Sequence, residues 1–142
     1  MQLRGMATVS FWAADLDAAK NWYADLLGVE PYFVVRDGEG RPAYYEFRLG
    51  DYQHELGLID RRYAGDVPEA PGGSILYWHV DDLAAAVREL LAAGAREHQP
   101  ITERGSGTGF VTASVIDPFG NILGVMSNPH YLDILPESRR PS

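Results

Sequence analysis

Cysteine is absent from the 142 residues and lysine occurs once, at Lys20. The first absence excludes a disulfide framework, a zinc ribbon and a thiol nucleophile. The second, with 12 Lys and Arg against 20 Asp and Glu and a formal charge of −8, leaves a chain that repels phosphate. Nucleic-acid affinity depends on Lys and Arg displacing counterions, so neither nucleic acid nor an anionic membrane is an expected partner. Long apolar runs are also missing: none reaches the ~18–20 residues a spanning helix needs. Met1 to Met6 holds Arg4 and no apolar stretch of the signal-peptide kind, so a soluble, cytoplasmic protein is expected. The 15 Gly and 9 Pro are scattered and form no low-complexity tract, which excludes collagen-like, disordered and coiled-coil classes.

What is present suffices for one structural domain, which at this length buries about 68–70% of the surface its unfolded chain exposes. The chain repeats itself. Phe11-Trp12-Ala13-Ala14-Asp15 falls on Tyr77-Trp78-His79-Val80-Asp81, Ala18-Ala19 on Ala84-Ala85, and Gly28 on Gly94. Leu56-Gly57-Leu58-Ile59 likewise falls on Leu123-Gly124-Val125-Met126. These matches in order divide the chain into a first module at 1–66, a second at 67–130, and a tail at 131–142. Thr8–Trp12 is a short β-branched and aromatic run, followed by Asp15 as a helix cap and a helical apolar period to Leu27, with Gly28 as the stop. The second module repeats this with strand 75–80, a cap at Asp81, helix 83–93 and Gly94. Strands follow at 31–36, 43–49 and 52–60, and at 110–116 and 122–127, joined by Asp- and Gly-rich turns. Gly105–Gly109 reads as a flexible loop. The tail carries apolar Tyr131, Leu132, Ile134 and Leu135 able to dock, and a loose end from Pro136.

The fold class read from the repeat is α+β, two tandem βαβββ modules. The residues that carry this reading are Ala14-Asp15-Leu16, Trp22-Tyr23, Leu26-Leu27-Gly28, Val80-Asp81-Asp82-Leu83 and the Asp117-Pro118-Phe119-Gly120-Asn121 turn. In these the chain resembles the vicinal oxygen chelate superfamily of glyoxalase I, extradiol dioxygenases and bleomycin-resistance proteins. The resemblance implies that the modules form curved mixed sheets around a cleft, and that the protein is a homodimer with cups built between subunits. In metal-dependent members it also implies a His or Glu ligand on the first and fourth strand of each module. Carried over, those positions fall on Thr8, Gly57, Ile75 (Ser74 by the internal repeat) and Gly124. None is a carboxylate, imidazole or thiolate, so no cofactor is expected and the closest character is that of the metal-free bleomycin-resistance branch.

Strand alternation sends one face of each strand toward the cup. The expected ligand-binding set is Ser10, Trp12, Tyr44, Glu46, Arg48, Glu55, Gly57, Ile59, Tyr77, His79, Gly124 and Met126, with Gln53 and Ile122 also inside. A one-residue slip of the strand at 75–80 would exchange Tyr77 and His79 for Trp78. Aromatic walls with a few polar groups suit a small, partly aromatic ligand, and glycine at two ligand positions lets a flat ring approach the backbone. Binding without chemistry, of an antibiotic or other secondary metabolite, is the leading reading. The competing class is an enzyme (lyase, isomerase or dioxygenase) with Glu55 and His79 as catalytic candidates. It would work either through a displaced divalent metal on Glu46, Glu55 and His79 or by metal-free acid–base chemistry. His98 is expected in solvent and His130 in a structural role. A vestigial cup in a regulatory domain is the third possibility.

Overall fold

The computed structural model describes residues 1–66 and 68–141; Val67, where the second module was expected to begin, and Ser142, the last residue of the tail, lie outside the described residues. The chain divides into two units, Met1–Val67 and Pro68–Ser142.

The first unit runs β1 (Thr8–Ala13), α1 (Leu16–Leu27), β2 (Phe33–Arg36), β3 (Pro42–Leu49) and β4 (His54–Asp60). Its sheet has the order β1-β4-β3-β2, with β1 parallel to β4 and the other pairs antiparallel. A parallel pair cannot close through a hairpin, and here the helix and two further strands supply the crossover. Asp15 caps α1 by accepting the Ala18 N–H at 3.0 Å, and Gly28 ends it in the left-handed region at φ 67°. The helix lays Leu16, Ala19, Tyr23 and Ala24 on the sheet face formed by Phe11, Ala13, Tyr45, Phe47, Leu56 and Leu58, all buried. Complete burial of Phe47, Leu56 and Leu58 contributes about 1.5–3 kcal/mol each. Tyr45 reaches the helix through its hydroxyl, which donates to Asp17 at 2.8 Å. Gln53 was expected inside β4. It sits instead in the preceding turn at φ 54°, its N–H bonded to the Gly50 carbonyl.

The second unit runs β5 (Tyr77–His79), α2 (Leu83–Ala92), β6 (Arg96–Arg104), β7 (Phe110–Ile116), β8 (Ile122–Ser127) and α3 (Pro129–Asp133). The order β5-β8-β7-β6 reproduces the first sheet, again with first and last strands parallel. Asp82, not Asp81, caps α2 by accepting the Ala85 N–H at 2.9 Å. The polar strand β6 was not legible in sequence. It is an edge strand with two register shifts, and Pro100 lies within one of them, where no ladder N–H is needed. The tail docks as expected at Leu135, which is buried, while Ile134 is exposed. It is also ordered further than expected: Arg140 donates to the carbonyls of Leu135 and Asp133. Among the described residues no helix is long and apolar enough to cross a membrane.

Each sheet holds one turn built on an aspartate. Asp37 accepts the N–H groups of Glu39 and Arg41, and Asp117 those of Phe119 and Asn121. Asp117 is buried, Asn121 donates to it as well, and Gly120 supplies the φ of 94° that closes the turn. Replacing it leaves buried donors unpaired, at about 1–3 kcal/mol. Asp117→Ala is therefore expected to lower the unfolding free energy by that margin, read as a lower urea midpoint at unchanged m-value. A loss within error of wild type would show the turn to be held by backbone alone.

Candidate functional site

The face of the first sheet turned away from α1 carries Thr8, Ser10 and Trp12 from β1, Tyr44, Glu46 and Arg48 from β3, and Glu55, Gly57 and Ile59 from β4. Register fixes this grouping, since Thr8 is opposite Glu55, Ser10 opposite Gly57, and Trp12 opposite Ile59. Across β3–β4, Tyr44 is opposite Ile59, Glu46 opposite Gly57, and Arg48 opposite Glu55. Thus, of the residues expected to line a cup in this module, all but Gln53 lie on one face. Sequence reasoning missed Tyr32, which ends on the same cluster from just before β2. Its exposed hydroxyl donates to Glu46, with Glu55 a further 3.5 Å contact. A tyrosine one residue before an edge strand carries no periodicity that would have marked it.

Glu46 is the centre of the polar cluster. It accepts hydroxyl hydrogens from both Tyr32 and Tyr44. Burial and the neighbouring Glu55 charge hold its carboxyl above the ordinary carboxylate range, against the opposing pull of Arg48. Glu55 is occupied differently: Arg48 pairs with it at 3.1 Å and sits 4.7 Å over the Tyr32 ring. Burial, reinforced by Glu55, also raises the Tyr44 phenol, so it is a neutral donor at physiological pH. The arrangement presents a hydrogen-bonded acid beside an ion pair, rimmed by the half-exposed rings of Tyr32 and Phe33.

In the second sheet the corresponding face carries Tyr77, Gly124, Met126, Ile122, Ser114 and Thr112, because Tyr77 is opposite Gly124 and Gly124 opposite Ser114. Trp78 is opposite Val125, on the helix side, so the slip weighed from sequence does not occur. His79 is opposite Met126 and is claimed by its own module. Its Nδ1 accepts the Asn128 N–H at 3.0 Å, its ring stacks on Tyr131 at 5.0 Å, and Nε2 lies 3.5 Å from Asp81. An Nδ1 that accepts a backbone N–H leaves the ring's proton on Nε2. His98 is exposed as expected, yet its Nδ1 lies 2.8 Å from the hydroxyl of fully buried Ser114. His130 packs edge-on against Phe110.

Residues 5–125 match the family model of the Glyoxalase/Bleomycin resistance protein/Dioxygenase superfamily. The chain belongs to this superfamily. A glyoxalase-related enzyme from Fulvimarina pelagi superposes at TM-score 0.67 with 24% identity, over 89% of this chain and 90% of that one. The glyoxalase / bleomycin resistance protein from Catenulispora acidiphila DSM 44928 does so at TM-score 0.59 with 21% identity, over 88% and 100%. Protein ATC0852 from Agrobacterium tumefaciens follows the same path at TM-score 0.66 with 21% identity, over 88% and 98%. At these identities the likeness is one of fold. No curated protein matches the chain.

The superfamily's metal does not fit the residues present. Thr8 Oγ1 points to the carbonyls of Val9 and Glu55, and Gly57 and Gly124 offer no side chain. The room those glycines leave is taken by the chain itself. A Cβ on Gly57 would meet the Tyr44 ring and hydroxyl at 2.6 Å, and one on Gly124 would meet Tyr77 Cδ1 at 2.6 Å and the Leu76 carbonyl at 2.7 Å. The flat ring expected against the glycine backbone is thus a tyrosine of the same module, in both modules. Among the described residues no three His, Asp or Glu side chains are placed to hold a metal ion, and Glu46 and Glu55 are joined by Tyr32, Tyr44 and Arg48 rather than by a third donor of that kind.

Two measurements follow from this geometry. Overpacking costs about 1–3 kcal/mol, and Gly124→Ala should cost more than Gly57→Ala because it meets backbone, whereas Tyr44 can swing its ring end aside. Equal midpoints in urea for the two variants would refute the tyrosine-over-glycine packing. Between the ordinary carboxyl value of 4.5 and its raised folded value, Glu46 holds a proton in the folded chain that the unfolded chain has released. That contribution is therefore complete below the ordinary carboxyl value of 4.5 and is lost as pH rises through the folded value. Glu46→Gln mimics the protonated acid, so its stability relative to wild type should rise from about pH 4 to about pH 7. Parallel pH curves for the two proteins would contradict the raised acid.

Proposed function

We propose that this superfamily member binds a small, partly aromatic molecule, such as an antibiotic or other secondary metabolite, without a resident metal and without transforming it, as a cytoplasmic homodimer. The observation that carries the reading is the first-module face. Its residues are bonded to one another as acceptors and donors around Glu46 and beside exposed rings, and of its two ligand-type positions Gly57 is covered by Tyr44 while the Thr8 hydroxyl turns to backbone carbonyls. A face of this make-up suits a flat ring bearing a hydrogen-bond donor: the ring stacks against Tyr32 and Phe33, and the donor competes for Glu46.

The alternative is metal-free acid–base catalysis, and its candidate moves from Glu55 to Glu46. Glu55 is ion-paired with Arg48, whereas Glu46 is the acid held above its ordinary range. His79 has one nitrogen committed to the Asn128 backbone, which weakens its claim to proton transfer.

The two readings separate in one experiment. Wild type and Glu46→Gln are titrated with a panel of phenols and aromatic amides, followed by amide NMR shifts and by product analysis of the same samples. Saturable shifts at β3 and β4 that return unchanged ligand, and weaken about tenfold in the variant (~1.4 kcal/mol), support binding. Turnover that Glu46→Gln abolishes would establish the enzyme instead. Stoichiometric transition metal in untagged, chelator-free protein would overturn the metal-free reading.

A further inference from the structure

The helix-free faces of the two sheets differ in charge. That of the first module carries Glu46, Glu55 and Arg48. On the second, Tyr77, Met126, Thr112, Ser114 and Gln99 share the face with two cations, Arg96 at one end and Arg104 at the other, and no carboxylate of the described strand residues lies there. Alternation puts Glu97 and Glu103 of β6 on the opposite side, opposite Val115 and Val111. Arg104 is therefore a cation on an acid-free face of a chain whose net charge is −8.

Four other cations of this chain are spent on carboxylates, Lys20 on Glu30, Arg41 on Asp37, Arg48 on Glu55 and Arg62 on Asp60, while Arg36 and Arg140 donate to backbone carbonyls. Arg104 forms no ion pair among the described residues. Its Nε–H donates instead to Thr112 Oγ1 at 3.1 Å, and Thr112 is itself more than nine-tenths buried. A guanidinium anchored through Nε has its plane fixed and its two terminal nitrogens left as a fork, the geometry that grips a carboxylate in two parallel hydrogen bonds. Beside it stands an apolar wall. Phe110 is directly opposite Arg104 in register and meets His130 edge-on at 4.9 Å, while Met126 is opposite Thr112.

The geometry points to an anion site on the second module, in which Arg104, positioned by Thr112, binds the carboxylate of an aromatic acid whose ring lies on Phe110. The site is confined to residues of the second unit. It stands or falls independently of the Glu46 face, which has the opposite electrostatic demand.

The test titrates the isotope-labelled full chain with sodium benzoate and, in parallel, with neutral benzamide. Benzoate should shift the Arg104 Nε–H, Thr112 and Phe110 signals saturably, and benzamide should not. Arg104→Gln should weaken the benzoate response at least tenfold, and Arg104→Lys by less, since it keeps the charge and loses the fork. Thr112→Val, which frees the guanidinium but removes no charge, should weaken it severalfold and serves if Arg104→Gln fails to fold. The proposal is overturned by an absent or unsaturable response, by equal responses to benzoate and benzamide, or by a benzoate response that survives in Arg104→Gln or centres on Arg48. Because Glu46→Gln acts on the other face, its effect on the phenol panel is read separately from all of these outcomes.

Discussion

Parallel pairing of the first and last strands governs each module. A parallel neighbour cannot be reached by a tight turn, so a helix and two antiparallel strands must intervene before the chain returns. Once β4 lies between parallel β1 and antiparallel β3, its alternation decides both sides of the sheet. Leu56 and Leu58 go to the helix, and Glu55, Gly57 and Ile59 go to the opposite face. The second module applies the same rule with Leu123 and Val125 against Ile122, Gly124 and Met126.

A glycine in the middle of that last strand then sets the character of each face. Lacking a Cβ, Gly57 and Gly124 admit a tyrosine ring at a distance no other residue allows. The two modules reach this packing by different routes. Tyr44 comes from the neighbouring antiparallel strand and Tyr77 from the parallel one. In the first module the covering tyrosine also donates to Glu46, so packing and electrostatics are linked: the ring that fills the space also helps satisfy the acid that burial has raised. In the second, the Tyr77 hydroxyl spans the sheet to Gln99 on β6, and no acid is present on the face.

The superfamily's fold is thus retained with the chemistry of its ligand positions replaced. Where the metal-dependent pattern wants four donors, this chain has a threonine whose hydroxyl turns to backbone carbonyls, two glycines covered by tyrosine, and an isoleucine. The aspartate turns, the capped helices and the docked tail concern stability. The groups with capacity to recognise something else are Glu46 with its tyrosines, and the arginine fork on Thr112.

The sequence by itself determined the α+β repeat, the helix start at Asp15, the stops at Gly28 and Gly94, and the faces of β1, β3, β4 and β8. Those features rest on local rules: alternation in a strand, the 3.6-residue period in a helix, and the need for a cap or a left-handed residue at its ends. Strand β6 escaped because a bulged, polar edge strand needs neither a regular period nor a full ladder, and the cap at Asp82 escaped because either of two adjacent aspartates satisfied the same rule. Only the tertiary structure decided that Tyr32 reaches Glu46, that Arg48 is spent on Glu55, that His79 is held by Asn128 and Tyr131, and that Arg104 is left to Thr112. These are contacts between strands far apart in the chain, and long flexible side chains choose among several partners that sequence spacing leaves equivalent. Which partner is taken depends on strand register and twist in three dimensions.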